Sequence, residues 1–166
     1  MLEISDQMSA SSSRPAPQLA AELSARVLRH DPELALTTLF FGDGELRVPL
    51  VSLPVDADVK LRIDARDVSI ALSRPMDVSI TNRLPGEIAE IEFLVPPYVR
   101  TTLALGETRI HALVTRESVA RLALVPGLKA WAMIKAVAIS GRVLTPDHSP
   151  RPRPWPSDQM TNRQRP

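Results

Sequence analysis

A few hydroxyl side chains and one lysine are the residues of this sequence whose types and spacing could form a group of hydrogen-bond donors. Thr115 and Ser118 stand three positions apart in TRESVARL, residues 115–122, directly after the strand-like run HALV. This spacing is typical of a helix start, where a threonine oxygen accepts a backbone N–H of the first turn. The remaining amides and the serine hydroxyl would then donate to an acceptor outside the helix, and such a group of donors favours an anion.

Two other polar segments are compatible with the same chemistry. Lys135 interrupts an otherwise apolar predicted strand, AWAMIKAVAI, where a charge is costly unless it is at an edge or has a partner. In VSITNRLPGEI, residues 78–88, Ser79 and Thr81 alternate with apolar residues and therefore share one face of a predicted strand. The ordinary interpretation is that threonine caps the helix, lysine reaches water and the hydroxyls face solvent. Anion binding is the alternative hypothesis.

The composition limits the class of function. The chain has 166 residues, of which 44% are hydrophobic, so it can form one ordinary domain or two small halves that share a core. Lys and Arg number 20 and Asp and Glu number 19, so nucleic acid is not an expected partner. Cysteine is absent, which excludes disulfides and thiolate metal sites. Because the sequence has no signal-peptide pattern and no apolar run of membrane-spanning length, we expect a cytoplasmic chain without membrane insertion.

Motifs for catalysis are missing from the sequence. It contains no phosphate-binding GxxxxGK[ST] loop, so no ATP site is expected, and it contains no HExxH, GxSxG or GxGxxG. His30, His111 and His148 are scattered, and His111 is better interpreted as a half-exposed strand residue than as a ligand. Trp131 is expected in the core. We therefore expect a protein that is not an enzyme and that holds no metal through direct protein ligands.

The central part of the chain is predicted to consist mainly of strands. Residues 59–66 alternate between apolar and polar types, which is the period of a strand. The glycines of FGDGEL, residues 41–46, and of LGETRI, residues 105–110, predict hairpin turns. Only residues 115–122 predict a helix. The predicted fold class is therefore all-β with one short helix.

An internal repeat organises these strands. ALTTLFFGDGELRV, residues 35–48, parallels VRTTLALGETRIHA, residues 99–112, and VKLRIDARDVSI, residues 59–70, parallels LKAWAMIKAVAI, residues 128–139. A unit of about sixty residues buries too little apolar surface to be stable alone, so the copies are expected to pair with each other or with a second chain. Closure into small antiparallel barrels would leave no exposed strand edges.

The repeat divides the chain into four parts. Residues 1–20 are rich in Ser, Ala and Pro, residues 142–166 are rich in Pro and Arg, and both are predicted to be disordered tails. Between them we predict a first half at residues 21–75 and a second half at residues 76–141.

The sequence resembles a known family when its segments are taken in order. VSITNRLPGEIAEIE, the TRES segment and PGLKAWAMIKAVAI look like the molybdate-binding Mop unit. The preceding LSARVLRHDPELALTTLFFGDGELRVP and LRIDARDVSIALSRP resemble the adjoining half of the same region. Over residues 23–141 the chain is similar to the C-terminal regulatory region (TOBE/Mop-like) of the ATP-binding subunit of molybdate ABC importers. The resemblance implies tandem OB-like small β-barrels, a homodimer, and molybdate or tungstate bound at subunit interfaces.

The resemblance also implies which residues contact the oxyanion. The positions that match the family's contacts are Ser79, Thr81, Asn82, Thr115, Ser118, Lys135 and Ala136, the last through its backbone N–H. Thr81 stands where the family often has an arginine, a loss expected to cost about 1.5 to 3 kcal/mol of binding free energy. Arg26 lies in a similar local pattern and is an outside candidate for this contact, but the repeat sets it opposite Glu87 rather than Thr81, which favours a solvated strand arginine.

Molybdate suits the donors at these positions. It is a fully deprotonated dianion at neutral pH, so its oxygens only accept hydrogen bonds, and hydroxyls, amides and an ammonium are all able to donate them. The size of the cavity would discriminate against the smaller sulfate, and a protonated phosphate would be rejected if nothing in the pocket could accept its hydrogen.

Three functions fit this resemblance. The first is a regulatory oxyanion sensor, lacking the ATPase domain, that acts with the importer ATPase and the membrane permease at the cytoplasmic face of the membrane. The second is a free-standing molybdate storage protein of the tandem Mop type. The third is a dimerisation module with a non-functional pocket. In all three, molybdenum is an oxyanion and not a metal ion with protein ligands.

Overall fold

The structure is a computed structural model that describes residues 19–139 and residues 143–144. The predicted tails, residues 1–20 and 142–166, otherwise lie outside the described residues. Strands dominate the described part, as predicted: β1 (Ala20–Asp31), β2 (Leu36–Phe40), β3 (Glu45–Pro49), β4 (Asp58–Asp64), β5 (Val68–Ala71), β6 (Asn82–Phe93), β7 (Tyr98–Leu105), β8 (Thr108–Thr115), β9 (Lys129–Ile134) and β10 (Val143–Leu144). The α-helix α1 (Arg116–Leu122) follows β8, and two 3₁₀ helices occupy Ala65–Asp67 and Ala136–Ile139.

The strands form two antiparallel sheets, and one outer strand of each sheet comes from a different part of the chain than the other four strands. The first sheet has the order β10-β4-β1-β2-β3, and the second has the order β5-β9-β6-β7-β8. β5 follows β4 in the chain but pairs with β9, where Val68 lies opposite Ile134. β10 follows β9 but pairs with β4, where Val143 lies opposite Leu61. The second sheet is therefore completed by a strand from the first half, and the first sheet is completed by a strand that follows the second half. The boundary predicted between residues 75 and 76 stays a prediction.

The ladder registers confirm the repeat and its alignment. In the first sheet Arg26 of β1 lies opposite Asp58 of β4, and in the second Glu87 of β6 lies opposite Lys129 of β9. Both pairs are salt bridges, at 3.6 Å and 2.9 Å, although the signs of the charges are reversed. A β-bulge follows at the same place in both strands. Arg26 therefore corresponds to Glu87, as the sequence repeat predicts.

A single hydrophobic core joins the two halves. The predicted alternation places Val59, Leu61 and Ile63 of β4 inside, while Arg62 points to solvent. Fully buried side chains come equally from both sheets: Leu39, Leu46, Leu61, Ile88, Leu103 and Ile110. Each contributes about 1.5 to 3 kcal/mol of hydrophobic free energy. Among the described helices, none has the length and apolar character needed to cross a membrane.

The two predicted hairpin turns meet each other. In the first, Phe41 N–H donates to the carbonyl of Gly44 at 3.0 Å. Gly106, at φ 80°, begins the second turn, and a side chain would be strained there. The Asp43 carboxylate accepts hydrogen bonds from both the hydroxyl and the N–H of Thr108. The hydrogen bond from the hydroxyl is the main reason that the pKa of Asp43 is lowered.

Three details of the sequence prediction were wrong. The strand predicted over residues 128–139 ends at Ile134, and Lys135 leads into a 3₁₀ helix, so this lysine does not interrupt a strand. Ser79 and Thr81 do not lie on a strand, because β6 begins at Asn82, opposite the last residue of β9. The segment that precedes Asn82 therefore has no paired residues in β9.

Trp131 is partly exposed, so its predicted place in the core was also wrong. It lies on β9 opposite Pro85 and Ala71, on the face of the second sheet that points away from the core. The guanidinium carbon of Arg74 lies 5.8 Å from the centre of its ring, which is a cation–π distance.

We predict that Gly86→Ala destabilises the fold. A Cβ at Gly86 would lie 2.5 Å from the carbonyl oxygen of Ala104, so β6 and β7 would have to move apart. The expected loss is about 1 to 3 kcal/mol of unfolding free energy, measured by urea denaturation. The matched control is Ala25→Gly, at the equivalent position of β1, where the expected loss is about 0.5 to 1 kcal/mol. Equal stability of Gly86→Ala and the wild type would contradict the close approach.

Candidate functional site

Thr115 and Ser118 form a hydroxyl pair at the start of α1. Thr115 is the N-cap, with an extended backbone (φ −93°, ψ 157°), and its Oγ1 accepts the N–H of Ser118 at 3.1 Å. The two hydroxyl oxygens lie 3.1 Å apart, with Thr115 donating to Ser118. The cap predicted from TRES is therefore confirmed. The Ser118 hydroxyl can donate its own hydrogen as well as accept one from Thr115.

The amides of the first helical turn add little to this donor pair. Arg116 N–H donates to the carbonyl of Pro97 at 3.0 Å, and Ser118 N–H is used by the cap. α1 has only seven residues, so its dipole is small compared with that of a long helix. Any anion affinity at this point rests on the hydroxyls more than on the helix.

The hydroxyl pair is anchored to the loop between β6 and β7. The guanidinium of Arg116 donates to the carbonyl of Leu94 at 3.3 Å and lies 5.5 Å from the centre of the Phe93 ring. Tyr98, the first residue of β7, lies opposite Thr115 in the ladder. We call this end of the second sheet, with Thr115 and Ser118, the hydroxyl end.

Lys135 and Thr81 lie at the other end of the second sheet. Asn82 pairs with Ile134, so the residues just beyond them, Thr81 and Lys135, leave the sheet side by side. Both side chains are exposed, as is Ser79. Ala136 begins the second 3₁₀ helix with its side chain buried. We call this end, with Ser79, Thr81, Lys135 and Ala136, the lysine end.

The two ends do not meet within one chain. The lysine end adjoins the first residue of β6, and the hydroxyl end adjoins its last residues through β7. β6 has 12 residues. At about 3.3 Å per residue, the ends are roughly 35 Å apart along the strand. The structure thus joins Thr115 to Ser118 and puts Thr81 and Lys135 at the same end of the sheet, but the seven predicted residues do not share one pocket within a single chain.

Asn82 has a structural role that the sequence analysis missed. It is 4% exposed, its Oδ1 accepts the N–H of Arg47 at 2.7 Å, and its Nδ2 donates to the Arg47 carbonyl at 2.9 Å. The side-chain amide therefore acts like a strand partner and joins β6 to β3 of the other sheet. The repeat carried a signal, since the equivalent residue of β1 is the apolar Ala21. Contact between Asn82 and an oxyanion remains a prediction.

The described histidines make hydrogen bonds inside the fold. His30 contacts the hydroxyl of Thr37 at 2.9 Å and the carbonyl of Leu53 at 2.8 Å. His111 is partly exposed on β8, contacts the hydroxyl of Thr102 at 3.1 Å, and has a pKa lowered mainly by burial. His148 lies outside the described residues. Among residues 19–139, His, Asp and Glu form no group of three that could hold a metal ion.

A surface groove of about 400 Å³ lies away from both ends of the second sheet. Its walls are formed by Pro85, Gly86, Glu87, Ala104, Gly106 and Lys129. None of the predicted oxyanion contacts lines it, so the groove is not the predicted site.

We predict that Asn82→Ala lowers the stability of the whole fold. The variant leaves the N–H and C=O of Arg47 without partners at the joint between the sheets, at a cost of about 1 to 3 kcal/mol in unfolding free energy. Thr81→Ala, at the exposed neighbouring residue, is the matched control and should stay within about 0.5 kcal/mol of the wild type. Urea denaturation measures both variants, and equal stabilities would show that the Asn82 joint is not needed.

Comparison with known proteins shows which proteins the chain is similar to. The TOBE domain model matches residues 78–140. The chain is 40% identical over 123 residues to molybdenum import ATP-binding protein ModC of Paramagnetospirillum magneticum, covering 74% of this chain and 34% of that protein. It is 40% identical over 116 residues to ModC 1 of Azotobacter vinelandii, covering 69% of this chain and 32% of that protein. The chain therefore spans about a third of the length of these relatives.

A solved structure confirms the predicted fold. The cytoplasmic molybdate-binding protein ModG, crystallised with molybdate bound, superposes with a TM-score of 0.60 at 24% sequence identity, over 75% of this chain and 93% of that chain. At this identity the likeness establishes the TOBE/Mop fold alone. Together, the comparisons show that residues 78–140 match a TOBE domain and that the chain is similar to about a third of the molybdenum import ATP-binding proteins.

Proposed function

We propose that this chain is an oxyanion-binding regulatory region of a molybdate importer, and that molybdate or tungstate binds between two copies of it. The observation that carries the proposal is the position of the donors at opposite ends of the second sheet. The hydroxyl end offers the hydroxyl hydrogen of Ser118, and the lysine end offers an ammonium and two hydroxyls. Each end alone is half of a site for a small dianion.

Molybdate matches the donors because it can only accept hydrogen bonds. Lys135 is exposed and forms no ion pair with any residue of 19–139, so its charge is available to a ligand. A charge-assisted contact from an ammonium is about twice as strong as a neutral hydrogen bond. Lys135 is therefore expected to contribute most of the affinity, since Thr81 supplies a hydroxyl where the family often has a guanidinium.

Two chains related by a twofold axis would complete two equivalent sites. The hydroxyl end of each chain would face the lysine end of its partner, because a twofold interface uses the same surfaces on both chains. Exposed apolar side chains lie at both ends: Phe93, 58% exposed, at the hydroxyl end, and Val137, 73% exposed, at the lysine end. Pairing would remove these side chains from water, which favours association.

Binding of an anion between two chains would allow the anion to regulate how the chains are arranged. It stabilises only the arrangement of chains in which both halves of the site meet, and so shifts the population toward that arrangement. The relatives are named as import ATP-binding proteins, which supports a place for the chain beside an importer ATPase and a membrane permease on the cytoplasmic side. The region would bind and signal but perform no catalysis itself.

A dimerisation module with a non-functional pocket is the second candidate. Thr81 in place of an arginine favours it, as does the use of the Asn82 amide within the fold. The two candidates differ in whether the isolated protein binds molybdate at all.

We predict that Lys135→Ala weakens molybdate binding at least tenfold, because one charge-assisted contact is lost. Isothermal titration calorimetry with molybdate, tungstate and sulfate measures the effect, and sulfate is expected to bind more weakly than the larger anions. Lys129→Ala is the matched control, since Lys129 is an exposed lysine on the preceding strand that pairs with Glu87 at 2.9 Å. Its affinity should stay within about twofold of the wild type.

Two outcomes of this titration would reject the proposal. Unchanged affinity in Lys135→Ala would place the anion elsewhere. Absence of binding to the wild type at millimolar molybdate would leave the dimerisation module.

We also predict that two defective variants restore binding when they are mixed. Lys135→Ala damages the lysine end, and Ser118→Ala damages the hydroxyl end while leaving the Thr115 cap intact. After joint refolding, about half of the pairs contain one chain of each kind, and each such pair has one undamaged site, giving about a quarter of the wild-type capacity. The measurement is bound molybdate at a concentration where each variant alone binds little. No recovery on mixing would show that the site does not span two chains.

A further inference from the structure

Four large apolar side chains are exposed at one end of the first sheet. They are Leu28, Leu34, Leu50 and Val55, with exposed fractions between 39% and 61%. Backbone hydrogen bonds hold together the segments that carry them. Leu50 N–H donates to the carbonyl of Ala35 at 2.9 Å, and Asp56 N–H donates to the carbonyl of Val27 at 2.8 Å. We call this surface the apolar end. Clustered exposed apolar side chains of this kind are typical of an interaction surface.

β10 directs the following part of the chain toward the apolar end. It runs antiparallel to β4, with Val143 opposite Leu61 and Leu144 opposite Lys60. The strand therefore ends pointing toward the start of β4. The loop that carries Val55 comes directly before β4, so it lies at this same end of the sheet.

The sequence after β10 contains a segment that is both apolar and basic. Residues 150–156 read PRPRPWP, with two arginines and one of the two tryptophans of the chain. Proline at every second position favours the extended polyproline II conformation, which loses little conformational entropy when it binds an apolar surface. The apolar end offers matching charges, because the carboxylates of Glu33 and Asp56 are exposed next to Leu34 and Val55.

The length of the chain after β10 also fits this surface. Residues 145–149 separate β10 from the basic segment, and they span roughly 17 Å when extended. The strand order β4-β1-β2-β3 sets the loop before β4 and the loop after β3 three strand spacings apart, about 14 Å. Residues 150–156 in the polyproline II conformation extend about 22 Å, so they are long enough to cross the whole apolar end.

We propose that residues 150–156 bind the apolar end of the same chain. Trp155 packs against the exposed apolar side chains, and the two arginines lie near the carboxylates of Glu33 and Asp56. This contact covers the first half, which carries none of the predicted oxyanion contacts, so it does not depend on the proposed function. It removes the apolar end from water and closes it to other chains.

The test is the fluorescence of Trp155 in the full chain. Trp155→Phe leaves Trp131 as the only tryptophan, so the difference between the wild-type and variant spectra reports Trp155 alone. Its emission should lie at shorter wavelength than that of a free peptide of residues 148–158, and acrylamide should quench it less. Emission and quenching equal to those of the free peptide would overturn the proposal.

Two substitutions and a dilution identify the surface that Trp155 contacts. Leu34→Ser, in an exposed turn, should move the Trp155 emission toward that of the free peptide, whereas Val125→Ser, at an exposed valine of the second half, should leave it unchanged. Each variant is paired with its own Trp155→Phe version. No effect of Leu34→Ser, or an equal effect of both substitutions, would overturn the proposal. A hundredfold dilution should also leave the emission unchanged, and loss of protection on dilution would assign the segment to a second copy of the chain and reject the contact within one chain.

Discussion

The exchange of strands between the two sheets is the constraint on which the rest of the structure depends. β5 hydrogen-bonds to β9, and β10 hydrogen-bonds to β4, so neither sheet is complete without the other half of the chain. After β4 and after β9 the chain must leave one sheet to reach the other, and it makes a 3₁₀ helix at each crossing. The crossing takes Lys135 out of the ladder and exposes it at the end of the sheet. The lysine is therefore available to a ligand because of the topology.

The same constraint decides where an anion can find donors. Between paired strands the backbone amides are used by the neighbouring strand, so free donors remain at the outer edges of the sheets and where ladders end. In the second half these are the exit of β9, the segment before β6, and the hydroxyl pair that follows β8. The antiparallel order of β6 and β7 sets the hydroxyl pair at the opposite end from the lysine. A site built from both ends therefore couples ligand binding to association of the chains.

Local sequence patterns predicted the local structure well. The alternation of β4, the glycines of both hairpins and the cap at Thr115 depend on residues near one another in the chain, and all three were confirmed. The end of β9 could not be predicted, because Ala136 and Ile139 are apolar whether they extend a strand or pack a 3₁₀ helix into the core. The strand exchange was also missed, since pairing between distant strands leaves no mark in local periodicity. For the site, residue types indicated donors, but only the ladder registers showed which of them lie together.

The reversed charges of the two halves show how a repeated fold can keep its structure while its two halves carry different charges. The pair Arg26 with Asp58 occupies the same position in the first sheet as the pair Glu87 with Lys129 in the second. Either strand can carry the positive charge, because the pair is stabilised by opposite charges facing each other across the ladder. At the end of the ladder no partner strand balances the charge, so its sign decides what can bind. Asp64 uses its charge to cap a helix within the fold, whereas Lys135 presents its charge outside. Substitutions within the ladder are thus constrained by pairing, while a substitution at its end changes the charge that the sheet presents to solvent.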